Sequence, residues 1–210
     1  MDVEREGWVS TGPVVDPALL DTVIAELPTV QDAAGARNIL SESGGVRALA
    51  RAPAVRSLAE SVLSSACFVV RGIFFDKTPT SNWKVMWHQD LSIAVRERRD
   101  APGFGPWSEK AGVTHVQPPA ELLGRMLAVR VHLDDCTEEN GPVRVLPGTH
   151  REGRLTAQTI EHFKATIQAV TCTVPRGGLL AFRPLLLHAS SPALHPMHRR
   201  VVHFEFAAEP

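Results

Sequence analysis

Cysteine is scarce in this chain, and the three present cannot build a disulfide framework. Cys67, Cys136 and Cys172 are odd in number, widely spaced and lack any C-x-x-C pair. That pattern fits a reducing compartment, with buried thiols packing as small hydrophobes. An excess of charge is also missing: 22 basic residues face 23 acidic ones, for a net charge of −1, and no basic run stands out. An electrostatic footprint for nucleic acid is thereby excluded, and a small molecule is the expected partner. No apolar run approaches the roughly 18 residues needed to span a bilayer. The opening stretch, "MDVEREGWVS", is acidic where a signal peptide would be basic. A soluble, cytoplasmic protein is the expectation. Internal repeats and low-complexity tails are absent too, which leaves one domain over residues 1–210 as the default for a chain with 44% hydrophobic residues.

What is present changes texture partway along. Asp16-Pro17 followed by Leu19, Leu20, Val23, Ile24 and Leu27 reads as a capped amphipathic helix that Pro28 closes. A second helix, over roughly residues 53–66, places Val55, Leu58, Ala59, Val62 and Leu63 on one face. From Cys67 onward short β-type runs alternate with Gly, Pro and Asn: "CFVVRGIFF", "KVMWHQDLSIAV", "GVTHV", "MLAVRVHL", "PVRVL", "AVTCTV", "GLLAFRPLLLH" and "RRVVHFEFA". Only "PPAELLGR" and the Thr156-capped "TAQTIEHFKATIQ" interrupt them as helices. Helices do not alternate with strands, so the pattern predicts an antiparallel sandwich or barrel rather than a βαβ sheet. The fold expected is mainly β: a helical N-terminal layer, residues 1–66, on a double-stranded β-helix (a cupin-like jelly roll) over residues 67–207.

Within "WKVMWHQDLSI", His88 and Asp90 are two apart, and on an extended strand side chains i and i+2 converge on one face. A third donor is needed for a metal. His188 ends the apolar run "LLAFRPLLLH" and enters a small-residue turn, which puts its ring at the mouth of the barrel. Two imidazoles and one carboxylate form the facial triad that leaves open positions on non-haem Fe(II). A second H-x-D, His132-Leu133-Asp134, competes. Strand counting favours the first: four β runs, at about 113–116, 126–133, 143–146 and 169–174, separate His88 from His188, whereas only two follow His132. His132 is then a barrel-lining residue. His115, His150 and His162 have no second donor facing them, and His195, His198 and His203 sit in a Pro-broken, arginine-flanked segment. Arg199, opening the last strand, is suited to gripping the far carboxylate of a diacid. Its neighbour Arg200 points to the opposite, solvated face. The same ligands could instead hold Zn(II) in a cupin-like hydrolase or isomerase, or survive in a non-catalytic binding module.

Taken together, "WHQD", "NGPVRVLPGTHREGRL", "RPLLLHASSP" and "RRVVHFEF" resemble the phytanoyl-CoA dioxygenase family of Fe(II)/2-oxoglutarate oxygenases, over residues 37–207. The resemblance implies Fe(II), 2-oxoglutarate and dioxygen as cofactor and co-substrates, and hydroxylation of a small molecule with release of succinate and CO2. It places His88, Asp90 and His188 at the iron-ligand positions and Arg199 at the position that binds the distal carboxylate of 2-oxoglutarate. Gln89 and Ser190 match positions that contact the co-substrate. Arg130 falls where some members carry an aromatic beside it. Asn140-Gly141 and Pro147-Gly148-Thr149-His150 match turns of the family, in keeping with "NG" as a turn dipeptide. Retention of Asp90, where Ala or Gly would open a halide position, favours hydroxylation over halogenation. The long segment 96–119 departs from a simple strand connection, and with Trp107, Lys110, His115 and Gln117 it could cover a polar or anionic substrate.

Overall fold

The structure, a computed structural model, describes residues 3–28, 35–63 and 66–209. A short helix α1 (Val3–Glu6) and strand β1 (Trp8–Ser10) lead into helix α2 (Pro17–Glu26), strand β2 (Gly35–Arg37) and helices α3 (Ile39–Glu42), α4 (Gly44–Arg51) and α5 (Pro53–Leu63). The long strand β3 (Cys67–Lys77) follows, then β4 (Val85–His88), β5 (Ile93–Ala94), β6 (Trp107–Lys110), β7 (Val113–Val116), helix α6 (Ala120–Leu123), β8 (Met126–His132) and β9 (Val143–Val145). Helix α7 (Ala157–Thr166) precedes β10 (Val170–Cys172), β11 (Leu179–Phe182), β12 (His188–Ser190) and β13 (Arg199–Ala208). Residues 64–65, the end of the second expected helix, lie outside the described residues.

The strands form a six-stranded sheet in the order β1-β11-β8-β13-β3-β2, a four-stranded sheet β10-β9-β12-β4 and a three-stranded sheet β5-β7-β6, all antiparallel. The two larger sheets make the jelly roll, and the helices back the larger one. Period-two alternation gives this sheet two different faces, one packed on the helices and one turned to the smaller sheet and the cavity. Along β8, Leu127, Val129 and Val131 join Val202, Phe204 and Phe206 of β13 in a core shared with Leu20, Val46, Leu49 and Val55 of the helices. The alternate residues, Ala128 and Arg130 on β8 and Arg199, His203 and Glu205 on β13, face the other sheet.

Local chemistry sets the helix starts. Asp16 accepts from the Ala18 amide at 2.9 Å with Pro17 in the first helical position, Ser43 caps α4 through the Val46 amide, and Thr156 caps α7 through the Thr159 amide. All three cysteines are buried and free. Among the described residues no helix is long and apolar enough to cross a membrane.

Two expected runs are each divided between sheets. "GLLAFRPLLLH" supplies β11 to one sheet and β12 to the other, with a break at Arg183-Pro184, where Pro has no amide to continue a ladder. "KVMWHQDLSIAV" likewise divides into β4 and β5, so Asp90 lies just beyond its strand rather than on it. Its amide bonds the Pro184 carbonyl at 2.9 Å, tying the two breaks together.

Candidate active site

Antiparallel pairing of β4 with β12 sets His88 directly opposite His188, a hundred residues away in the chain. The rings lie 4.3 Å apart between centroids. Each Nδ1 faces a carbonyl, Met86 at 2.8 Å and Leu186 at 2.9 Å. A carbonyl can only accept, so the ring proton sits on Nδ1 and both Nε2 atoms are free to ligate. Asp90 Oδ1 is 3.6 Å from His88 Nε2, and Oδ2 is 3.7 Å from His188 Nε2. Such gaps are too long for hydrogen bonds. They suit an ion bonded at about 2.0–2.2 Å to each donor, and one ligand atom from each residue lies within 4.8 Å of the others.

The protonation states fit as well. Burial pushes the His188 pKa down to about 4, which keeps the ring neutral. Burial also opposes ionisation of Asp90, but the facing imidazoles outweigh it and hold the carboxyl well below the usual range. At His88 burial favours the neutral ring, and the Asp90 carboxylate more than offsets it, leaving the pKa above its ordinary value.

These donors open onto a cavity of about 270 Å³ lined in part by Phe75, Trp83, Val85 and Val143. Arg199 and Arg130 also line it. Arg199 is 2% exposed, and its Nε and Nη1 have no hydrogen-bond partner. Arg130 stacks over Phe75 at 5.4 Å, its pKa lowered to about 10 by burial and then by Arg199. Two guanidiniums with buried, open donors form a seat for a carboxylate. Ser190 stands beside them on β12, 3.3 Å from Lys77 Nζ.

Lys77 is the residue the sequence reading missed. It is fully buried, pairs in register with Arg199, and donates to the Ser191 carbonyl. Burial, with Arg199 and Arg130 next in effect, lowers its pKa to about 7. Extending "CFVVRGIFF" by two residues would have found it, since Arg71, Phe75 and Lys77 fall on one strand face. The Asn140-Gly141 turn makes room for it. Gly141 has a positive φ of 75°, and a Cβ there would come within 2.8 Å of Lys77 Nζ.

Gln89 is placed differently from expectation. Its Nε2 donates to Gly153 and Leu185 carbonyls at 2.8 and 2.6 Å, and its Oε1 accepts from the Leu155 amide at 2.8 Å. With every amide group spent on backbone, and absent from the cavity wall, it clamps loops behind the site rather than touching a co-substrate. The β4–β12 register shifts between His188 and Ser190, and the chain leaves the strand at Gln89.

The second H-x-D is committed elsewhere. Arg200 grips Asp134 with two side-chain bonds of 2.9 and 2.7 Å and its own amide at 2.8 Å, so Arg200 is paired instead of standing free in solvent. His132 is 1% exposed, and burial holds its pKa far below the ordinary value. His198 bonds Asp76 at 2.8 Å, whereas His203 lines the cavity, its pKa pushed to about 3 by burial and then by Arg130. Of the four residues singled out in segment 96–119, only Lys110 reaches the cavity. His115 lies behind it, 1% exposed and bonded to Arg71.

Comparison with known proteins places the chain among relatives of known fold. The family described as phytanoyl-CoA dioxygenase (PhyH) matches residues 11–201. L-Proline trans-4-hydroxylase of Streptomyces griseoviridis is 27% identical over 169 residues, 68% of this chain and 55% of that protein. The chain thus spans about half the length of the curated relative it matches. Among solved structures, EctD from S. alaskensis with bound Fe superposes with a TM-score of 0.73 at 16% identity, covering 98% of this chain and 74% of the other. The epimerase SnoN in complex with Fe3+, alpha ketoglutarate and nogalamycin RO gives 0.74 at 16%, covering 98% and 80%. AviO1 from Streptomyces viridochromogenes gives 0.70 at 19%, covering 99% and 94%. At these identities the likeness establishes the shared fold.

Proposed function

The chain belongs to the phytanoyl-CoA dioxygenase family, and from that premise we propose that it is an Fe(II)- and 2-oxoglutarate-dependent dioxygenase hydroxylating a small molecule. The observation that carries the reading is the pairing of an open two-histidine, one-carboxylate set with buried, unpaired guanidinium donors in one cavity. Fe(II), when bound, would activate dioxygen and drive oxidation of a substrate C–H bond as 2-oxoglutarate is converted to succinate and CO2. His88, Asp90 and His188 would hold the metal. Arg199, Ser190 and Lys77 would bind the distal carboxylate of the co-substrate, with Arg130 adding positive charge from β8. The apolar side chains lining the cavity would limit water. The retained carboxylate at Asp90 supports hydroxylation over halogenation.

A zinc hydrolase in the same barrel would use the triad but leave Arg199, Arg130 and Lys77 without a task. We read the protein as one domain working in a reducing cytoplasm, which three free buried thiols support. The test is consumption of 2-oxoglutarate by the purified protein. Succinate should form in an Fe(II)-dependent manner and disappear in His88→Ala, and Arg199→Gln should raise the KM for 2-oxoglutarate tenfold or more, the scale of a lost charge-assisted contact of roughly 1.5–3 kcal/mol. Activity with Zn(II) alone would refute the reading.

A further inference from the structure

The cavity holds a second cationic group that the co-substrate cannot use. Along the paired strands β3 and β13, Lys77 faces Arg199 at one end and Arg71 faces Glu205 six residues away. At about 3.3 Å per residue this sets the two pairs roughly 20 Å apart along the backbone, longer than a five-carbon diacid, so they mark opposite ends of the cavity. Around Arg71 gather Arg37, on the neighbouring strand β2, and Lys110, on β6, and all three line the cavity. Glu205 pairs directly with Arg71 and reaches Arg37 and Lys110 only through longer-range attraction, and Asp90 belongs to the metal set. Lys110 has a neutral partner, Ser92 Oγ at 2.8 Å. The Arg37 side chain makes no hydrogen bond or ion pair with a described residue. Three cations, Arg37, Arg71 and Lys110, thus share the one carboxylate of Glu205, which leaves an excess of positive charge that a bound anion would balance. Burial and then repulsion from Arg71 lower the pKa of both Arg37 and Lys110.

We propose that the primary substrate is a compact carboxylic acid whose carboxylate is held by Arg37 and Lys110, an inference that rests on the oxygenase reading. Compactness follows from volume. At about 270 Å³ the cavity lies at the lower edge of the roughly 300–1,000 Å³ range of ligand sites, and it must also admit the co-substrate. The acid would enter beside exposed Arg37 and extend its carbon skeleton toward the metal set.

The test is calorimetric titration of the protein loaded with Mn(II), in place of iron, and saturating 2-oxoglutarate. The probes are L-proline, cyclopentanecarboxylate, benzoate and N-acetylalanine, each against its primary amide. At least one acid should bind, with its amide about tenfold weaker or worse, as expected for loss of a charge-assisted contact. The double variant Arg37→Gln/Lys110→Met should lose acid binding by about tenfold or more while its affinity for 2-oxoglutarate stays within twofold of wild type. The single variants give the same reading should the double variant fail to fold. Binding of 2-oxoglutarate without binding of any acid, equal binding of acid and amide, or undiminished acid binding by the variants would each overturn this proposal alone. Absence of 2-oxoglutarate binding would overturn the oxygenase reading and this proposal with it.

Discussion

Asp90 and Asp134 occupy the same place in two H-x-D motifs, yet their surroundings give them opposite work. Asp134 is saturated by Arg200, whereas Asp90 has only imidazoles beyond hydrogen-bond range before it. Asp134→Asn should therefore cost about 1–3 kcal/mol of stability, the scale of charge-assisted bonds in a half-buried pair, and leave metal binding intact. Asp90→Asn should abolish metal binding with little change in Tm. Equilibrium unfolding and metal titration of both variants check this. Lys77 offers a test by pH. Its folded pKa of about 7 lies below the 10.5 of an ordinary lysine, so between those pH values the unfolded chain holds the proton that the folded one has released. Stability should rise with pH across that window, by at most about 1.4 kcal/mol per unit. Relative to wild type, Lys77→Met should flatten the rise in urea unfolding measured from pH 7 to 10.

At the scale of elements, the site depends on two strands that end where their side chains take over from the backbone ladder. Gln89 substitutes for strand pairing by bonding three backbone groups of other segments. Gln89→Leu would leave those groups without partners and should cost roughly 2–5 kcal/mol, at about 1–3 kcal/mol per buried orphan less what water recovers. Gln89→Glu, which keeps the acceptor for the Leu155 amide and loses both donors, should fall between. Equal stability of all three proteins would contradict the clamp. β-type residues and turn residues made β3, β7, β8, β9, β10 and β13 legible, because each is a short run flanked on at least one side by Gly or Pro. The division of "GLLAFRPLLLH" was harder to see. Apolar residues run on both sides of Pro184, and besides that proline long-range partners, such as the bond of the Arg183 amide to the Gly7 carbonyl, send the two halves to different sheets. Helix α4 was hidden behind Gly44-Gly45, poor helix formers that the Ser43 cap and the packing of Val46 and Leu49 override.

Across the whole molecule, folding converts distances in sequence into a line of chemistry along one cavity. The metal triad and Arg199 could be read from residue type and order, since ligand spacing and strand count constrain them. Arg37 and Arg71 could not be read so simply, because an isolated cation gives no sign of which cavity it lines until β2, β3 and β13 are in register. The central claim is that this cavity binds 2-oxoglutarate through a metal held by His88, Asp90 and His188. Calorimetry of 2-oxoglutarate binding with and without Fe(II) under anaerobic conditions tests it most directly, in wild type and in His188→Ala. Tight binding that requires the metal and is lost in the variant is the predicted result; binding of equal strength without metal, or in His188→Ala, would contradict it.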